Sequence, residues 1–491
     1  MAEGVVVCCC NDAPGGARRA GYAVRTLLQL VGVPFRFATA AELRAGMLRP
    51  ADTVLLTYGT FDEERYDLPC VHLRASRRGW ELIAGARPLP TAFDEVHEGV
   101  PILFRSERTV RGRVRVDSDR AVADVDVVAS AFFLLARCEE RSGTDRDRLG
   151  RFPASSALAH RTGRLTCPLV NEYAELLWRL LSAVAPQIER RSAWGEGFAL
   201  CVTHDIDQLA LFSSARQVAG AVRRIAHGPS CGRRILRLAT DGISVGLRRR
   251  KDPYDTFAEL QALERRRGVR ATYFAMSGGR GPHEGRYRLE DAAALLDLLQ
   301  GHGHEIGIHG SLRTWRNATR LRSEIASLEA ILSVPVHGGR QHYLRFQAPE
   351  TWRAAARAGL RYDTTLGYPD AIGFRAGICT PYRPYDLHAD EELPLWELPL
   401  AVMDATLLAR GRLPAGEARR AVAALGRAVA RRRGVLVLLW HQPSLYDALQ
   451  PDGEAILAGI LDDLLSMGGE PMTAFEAVER WARHAQALVV E

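Results

Sequence analysis

Short apolar runs bounded by turn residues recur along this chain in two different settings. Near the start, residues 5–10 read as an apolar strand that runs into a turn at 11–16, followed by helical spacing over 18–31 and a second strand pattern at 53–57. Helical spacing returns at 125–137 and at 168–184, the latter stopping before Pro186. Together these predict a smaller α/β domain over residues 1–190, closed by a polar linker at 187–194. From about 196 onward the apolar runs 198–202, 271–276, 305–308, 397–402 and 435–440 alternate with helical stretches. Strands apolar on both faces and separated by helices predict a parallel β/α architecture over 196–485, open or barrel-shaped. A basic stretch at 210–252 falls between its first two strands and reads as a helical insert outside the barrel.

Composition narrows the classes. The 491 residues are 47% hydrophobic and 25% charged, which fits an ordinary globular chain of several domains and excludes collagen, coiled coil and wholesale disorder. The apolar runs are far shorter than the roughly 20 residues of a spanning helix. Met1-Ala2-Glu3-Gly4 has no basic leader character and the turn at 11–16 does not resemble a cleavage site, so a cytoplasmic location is expected. The net charge is +7, but Lys251 is the single lysine. So one-sided a use of arginine reads as base composition rather than phosphate recognition, and no nucleic-acid partner is expected. Arg248-Arg249-Arg250-Lys251 is the nearest thing to a basic cluster, able to bind an acidic partner or to end a helix in solvent. The nine cysteines show neither CxxC nor Cys/His finger spacing, so no disulfide framework or structural zinc module is indicated.

In parallel β/α folds chemistry collects where strands end at their C-terminal edge, and four such ends carry reactive groups. The first continues into Thr203-His204-Asp205-Ile206-Asp207. A side-chain period of two puts Asp205 and Asp207 on one side, and two carboxylates in one pocket call for a cation or a shared proton. In Gly303-His304-Glu305-Ile306-Gly307-Ile308-His309, His309 falls at the strand end, while His304 alternates to the other face as a structural histidine. The run 435–440 ends in Trp440 and His441, the latter able to supply a proton near neutral pH. In Gly339-Arg340-Gln341-His342-Tyr343, Arg340 could hold a carboxylate and His342 a metal, or either could pack a loop.

The order and character of these strand ends resemble the polysaccharide deacetylases, the NodB-homology or carbohydrate esterase family 4 group, over about 196–480. The resemblance is closer to a divergent subgroup that shares the His-Asp-x-Asp first motif, the His-Gly-Ser ending of the second, the Arg-Gln-His-Tyr stretch and the Tyr362-Asp363-Thr364-Thr365 segment. The subgroup also carries an N-terminal domain with something like Gly150-Arg151-Phe152-Pro153 and Pro168-Leu169-Val170-Asn171-Glu172-Tyr173. It implies a distorted (β/α) barrel preceded by a smaller α/β domain, and a divalent metal, zinc by expectation, held by Asp207, His309 and His342. Asp205 becomes the base, Arg340 its orienting cation, His441 the general acid and Asp404 a supporting carboxylate, with Tyr343 and Trp440 as substrate contacts. The family places a second histidine four residues after His309; Arg313 stands there, and His342 is expected to replace it. The implied reaction is hydrolytic removal of an acetyl group from an N- or O-acetylated sugar, saccharide precursor or polysaccharide. An inactive carbohydrate-binding protein and a hydrolase of small cyclic amides are the alternatives.

Overall fold

The computed structural model describes residues 4–490 apart from 11–12, 48, 50–51, 60–67, 87, 108–112, 142–144, 227–229, 279–286 and 411–412, with the backbone alone at 409–410. Two large sheets organise it. The first contains β1 (Val5–Cys9), β2 (Phe35–Phe37), β3 (Asp52–Gly59), β4 (Cys70–Arg74), β5 (Val114–Val116) and β6 (Arg120–Ala123), in the order β2-β1-β3-β4-β6-β5. All pairs are parallel except β5 with β6. Helices α1 (Ala17–Val31), α2 (Val127–Leu135) and α3 (Leu169–Val184) bury their apolar residues with this sheet. The strand patterns at 5–10 and 53–57 fall on β1 and β3 and the helical spacings on α1, α2 and α3; β2, β4, β5 and β6, short and carrying polar residues, were not anticipated.

The second sheet is wholly parallel and has nine strands: β7 (Phe198–Ile206), β8 (Thr272–Ala275), β9 (Glu305–Gly310), β10 (Gly338–Gln341), β11 (Tyr362–Asp363), β12 (Trp396–Glu397), β13 (Val402–Met403), β14 (Val435–Leu439) and β15 (Gly469–Pro471). Its path runs β12-β11-β10-β9-β8-β7-β14-β13, with β15 on β7. The predicted strand at 397–402 is therefore two strands, β12 and β13, on opposite edges. They are joined by only residues 398–401, a reach of about 14 Å, so the sheet must curl until its edges approach. That connection also stitches them: Leu398 N–H donates to Asp363 O, Leu400 N–H to Leu366 O and Ala401 N–H to Val437 O.

Strand β7 is buried along its whole length, and its alternation sorts polar groups to the two faces. His204 points outward, bonding Trp440 O through Nδ1 (2.6 Å) and Glu264 through Nε2 (2.6 Å). Thr203 and Asp205 point inward, where both accept from Arg340. Close strand packing is visible at Gly338, where a Cβ would lie 1.9 Å from the Tyr362 ring.

One continuous apolar cluster runs through both sheets, from Val6 and Leu27 to Val202 and Leu438. The segment 187–194 is tied down rather than free: Ile188 and Trp194 are buried, Arg191 N–H donates to Gly32 O, and Trp194 stacks on Trp481. The stretch 210–252 forms two helices, α4 (Ala215–Ala226) and α5 (Cys231–Gly246), with a small cluster of their own around Leu211, Tyr254 and Tyr446. Every cysteine is a free thiol. Among the described residues no helix is long and apolar enough to cross a membrane.

Candidate metal centre and proton-transfer groups

Because the strands of the second sheet are parallel, their C-terminal ends form one rim, and the chemistry-bearing residues stand on it. Asp205 precedes the end of β7 and Asp207 follows it; His309 is next to last in β9; Arg340 is in β10 and His342 just past it; Asp404 follows β13 and His441 lies two residues after β14. The register places His309 beside Arg340.

Three ligand atoms converge. His309 Nε2 lies 2.9 Å from His342 Nδ1 and 3.2 Å from Asp207 Oδ1, which is 3.3 Å from His342 Nδ1. Sides of this length are what three ligands about 2.1 Å from one ion subtend at roughly 90–105°. The donor chemistry agrees. His309 Nδ1 lies 3.0 Å from the Arg340 carbonyl, which can accept only an N–H, so the Nε2 lone pair faces the triangle. Asp207 Oδ1 is buried and has no hydrogen-bond partner among the described residues. Burial pushes the Asp207 carboxyl up, but His342 and His309 more than offset it and hold it well below the ordinary range. Two imidazoles and one carboxylate, with an acceptor left unpaired between them, suit a divalent cation.

Beside the triangle stands Asp205, nearly buried. Its Oδ1 accepts from Arg340 Nη1 at 2.9 Å, while its Oδ2 faces His309 Nε2 at 3.8 Å and His441 Nε2 at 3.9 Å. Arg340 is fully enclosed. It donates also to Thr203 Oγ1 (2.9 Å), Thr364 O (3.1 Å) and Thr364 Oγ1 (3.3 Å), and lies over the Phe274 ring. On the other side Asp404 accepts His441 Nδ1–H at 2.7 Å, the His441 backbone N–H at 3.0 Å and the Ser444 hydroxyl. Burial works against a charge on His441, but Asp404, and behind it Asp207 and Asp205, lift it to about 10. Asp404 thus favours the protonated imidazole, whose Nε2 lies 3.9 Å from Asp205 Oδ2.

The structure thus gathers Asp205, Asp207, His309, Arg340, His342, Asp404 and His441. Tyr343 is half-buried, its ring 4.1 Å from that of His342, and its backbone is left-handed (φ 61°). Trp440, read from sequence as a substrate contact, is instead fully enclosed in the apolar cluster shared with Val202 and Leu438, because the last residue before the rim turns its ring into the packing. Arg313 is exposed and outside the triangle. Sequence reasoning missed Thr203, Thr364 and Ser444, the hydroxyls that hold Arg340 and Asp404. For Thr203 and Ser444 the signal was adjacency, each lying within three residues of a group already singled out, whereas Thr364 falls in the Tyr362-Asp363-Thr364-Thr365 segment to which no role was given.

Residues 16–186 match a family of unknown function, DUF7033. Among curated proteins none matches the chain. Solved structures with similarity include a protein assigned as a polysaccharide deacetylase from Mycobacterium smegmatis (18% identity, TM-score 0.39, 60% of this chain and 92% of that one). The Puue allantoinase (12%, 0.38, 60% and 94%) and a carbohydrate esterase family 4 pseudoenzyme from Bacillus anthracis (10%, 0.30, 58% and 66%) are others. Likenesses this distant assign no activity to this chain.

Proposed function

We propose that this protein is a metal-dependent hydrolase that removes an acetyl group from an N- or O-acetylated sugar, saccharide precursor or polysaccharide. The observation that carries the reading is the convergence of Asp207, His309 and His342, with the Asp207 Oδ1 acceptor unpaired among the described residues, beside a held carboxylate, Asp205, and an imidazole held by Asp404, His441. The strand-end motifs that resemble polysaccharide deacetylases supply the substrate class. Asp207, His309 and His342 would hold a divalent ion, which would supply Lewis acidity toward a carbonyl oxygen and would acidify a bound water.

The chain's own groups divide the proton work. Arg340 occupies Asp205 Oδ1, so the carboxylate presents Oδ2, where it takes the proton of the attacking water. His441, protonated and oriented by Asp404, delivers its Nε2 proton to the departing amine or alcohol, without which the tetrahedral species reverts. Burial of both carboxylates and of Arg340 keeps bulk water from competing for these contacts.

The test is elemental analysis of the purified protein beside His309→Ala and His342→Ala after dialysis against a weak chelator, followed by acetate release from N-acetylated saccharides. About one equivalent of a divalent metal in the wild type, lost in both variants, together with acetate release, supports the reading. A protein that takes up no metal refutes it. Metal without turnover of any acetylated sugar, or turnover of cyclic amides instead, overturns the substrate class.

A further inference from the structure

The helical insert carries a feature the site does not use. Residues 210–252 contain ten Lys and Arg against two Asp, a net of +8, whereas the whole chain is +7 and the rest is −1. The positive charge of the molecule is therefore that of the insert. Within it the sixteen-residue helix α5 is apolar on two opposite faces. Leu238 is buried, and Ile235 packs against the same cluster with Tyr446 and Tyr254. On the far side Leu236, Ile243 and Leu247 are 65%, 65% and 58% exposed, among the most exposed large apolar side chains described. Spaced by seven and four residues, they form one stripe, directly opposite Leu238.

Charge is distributed around this stripe. Arg233 and Arg237 lie within a turn of Leu236, and Arg248, Arg249, Arg250 and Lys251 follow Leu247; all six are exposed. Arg237 and Arg250 pair with Asp241, the one acid of the helix. The neighbouring helix α4 adds exposed Arg216, Arg223 and Arg224. An apolar stripe rimmed by cations has a complementary partner in an anionic lipid surface: leucine and isoleucine enter the headgroup boundary while guanidinium groups meet phosphates, each contributing about 1 kcal/mol near such a surface.

We propose that α5 docks this protein on anionic membranes, with Leu236, Ile243 and Leu247 entering the interface and the arginines of the insert bound to lipid phosphates. The insert is rooted at the rim that carries the candidate site. Leu211 and Phe212 N–H donate to Asp252, Thr256 donates to Gln442 O beside His441, and Gln442 donates to Gln208 O beside Asp207. Docking through α5 would therefore tether to the membrane a segment whose two ends are bonded at that rim, which makes saccharides carried on lipids the substrates within reach. This last consequence rests on the hydrolase reading, whereas the docking itself does not.

The experiment is cosedimentation of the full-length protein with phosphatidylcholine vesicles, with and without one-third phosphatidylglycerol, at about 0.1 M and about 0.5 M salt. Binding is expected to the anionic vesicles alone, to weaken at the higher salt, and to fall at least about tenfold in the triple variant Leu236→Ser, Ile243→Ser, Leu247→Ser. Arg248→Gln with Arg249→Gln should weaken it without touching the apolar stripe. These residues are exposed and none belongs to the candidate site, so the variants keep the metal content and any acetate release of the wild type. Wild-type protein that stays in the supernatant overturns the proposal, as does a serine variant that binds equally. A wild type that elutes as a dimer while the serine variant elutes as a monomer, with neither on vesicles, assigns the stripe to self-association instead.

Discussion

Glu140 joins the two halves of the chain, and neutralising it should be felt by both. It closes a short helical turn, Cys138–Glu140, where its Oε1 accepts from Arg137 Nε (2.8 Å) and Arg375 Nε (2.9 Å) and its Oε2 from Arg375 Nη2 (2.6 Å). All three side chains are at most 1% exposed. Burial pushes the carboxyl up, but Arg375 and Arg137 overcome it and bring it from 4.5 to about 2. Because the folded value is depressed, its contribution is present above the unfolded value and lost as pH falls through the folded one. The shift is worth about 3 kcal/mol at pH 7 and about 2 kcal/mol at pH 3.5.

Glu140→Gln keeps the shape and removes the charge. Arg137 retains Glu139 and Leu134 O, but Arg375 loses its carboxylate partner and keeps Gly367 O, the rings of Phe152, Phe346 and Tyr368 around it, and a neutral amide oxygen at position 140. Breaking a buried pair in this way costs about 3–5 kcal/mol. An unfolding entropy of about 2 cal/mol/K per residue makes 1 kcal/mol about one degree for a chain this long. Calorimetry should therefore show Tm lower by about 3–5 °C at pH 7, with the gap to wild type narrowing toward pH 3.5. Removing both charges, Glu140→Met with Arg375→Met, should restore part of the loss. A single variant within about one degree of wild type, or a gap that does not change with pH, refutes the reasoning.

Three further outcomes are expected. Asp404→Asn removes the group that does most to raise His441, so the alkaline limb of the pH–rate profile for acetate release should move down by at least about one unit; an unmoved limb takes His441 out of the acid role. Arg151 donates to the carbonyl of left-handed Tyr343 at 2.6 Å, so Arg151→Met should loosen the turn that carries His342 and weaken metal binding about tenfold, read by chelator competition; unchanged affinity refutes it. Burial raises Asp363 from 3.8 to about 6 and holds Glu397 well above 4.5, so the folded state keeps a proton the unfolded state releases. Stability should fall as pH rises from about 4 through 6 and Asp363→Asn should flatten the fall, followed by urea unfolding; parallel curves for the two proteins contradict this.

How much was legible in the sequence differs from element to element. Strands β7, β9 and β14 are apolar runs ending in His or Asp, and both their existence and their rim position could be read because burial on two faces leaves a continuous pattern. Strand β10, Gly338–Gln341, has no such pattern: its residues are Gly, Gly, Arg and Gln, all buried. It is a strand because its glycines admit Tyr362 and Ile308 against the backbone and because Arg340 finds acceptors on β7 and after β11. Such a strand is specified by its neighbours and is invisible to periodicity. Trp440 shows the opposite failure, a position read correctly whose side chain turns into the packing.

The exposed Arg313 in the loop after β9 and the inward His342 after β10 are two aspects of one geometry. Neighbouring parallel strands in register put His309 beside Arg340, so a residue two places past Arg340 comes level with the end of β9. Arg340 can serve the same site because its carbonyl and its guanidinium work in different directions: the carbonyl fixes the His309 ring, and the guanidinium reaches across the curled sheet to Asp205. In the proposed site a single residue thereby aligns one ligand and the base, which gives a strand of such unpromising sequence the task of positioning both.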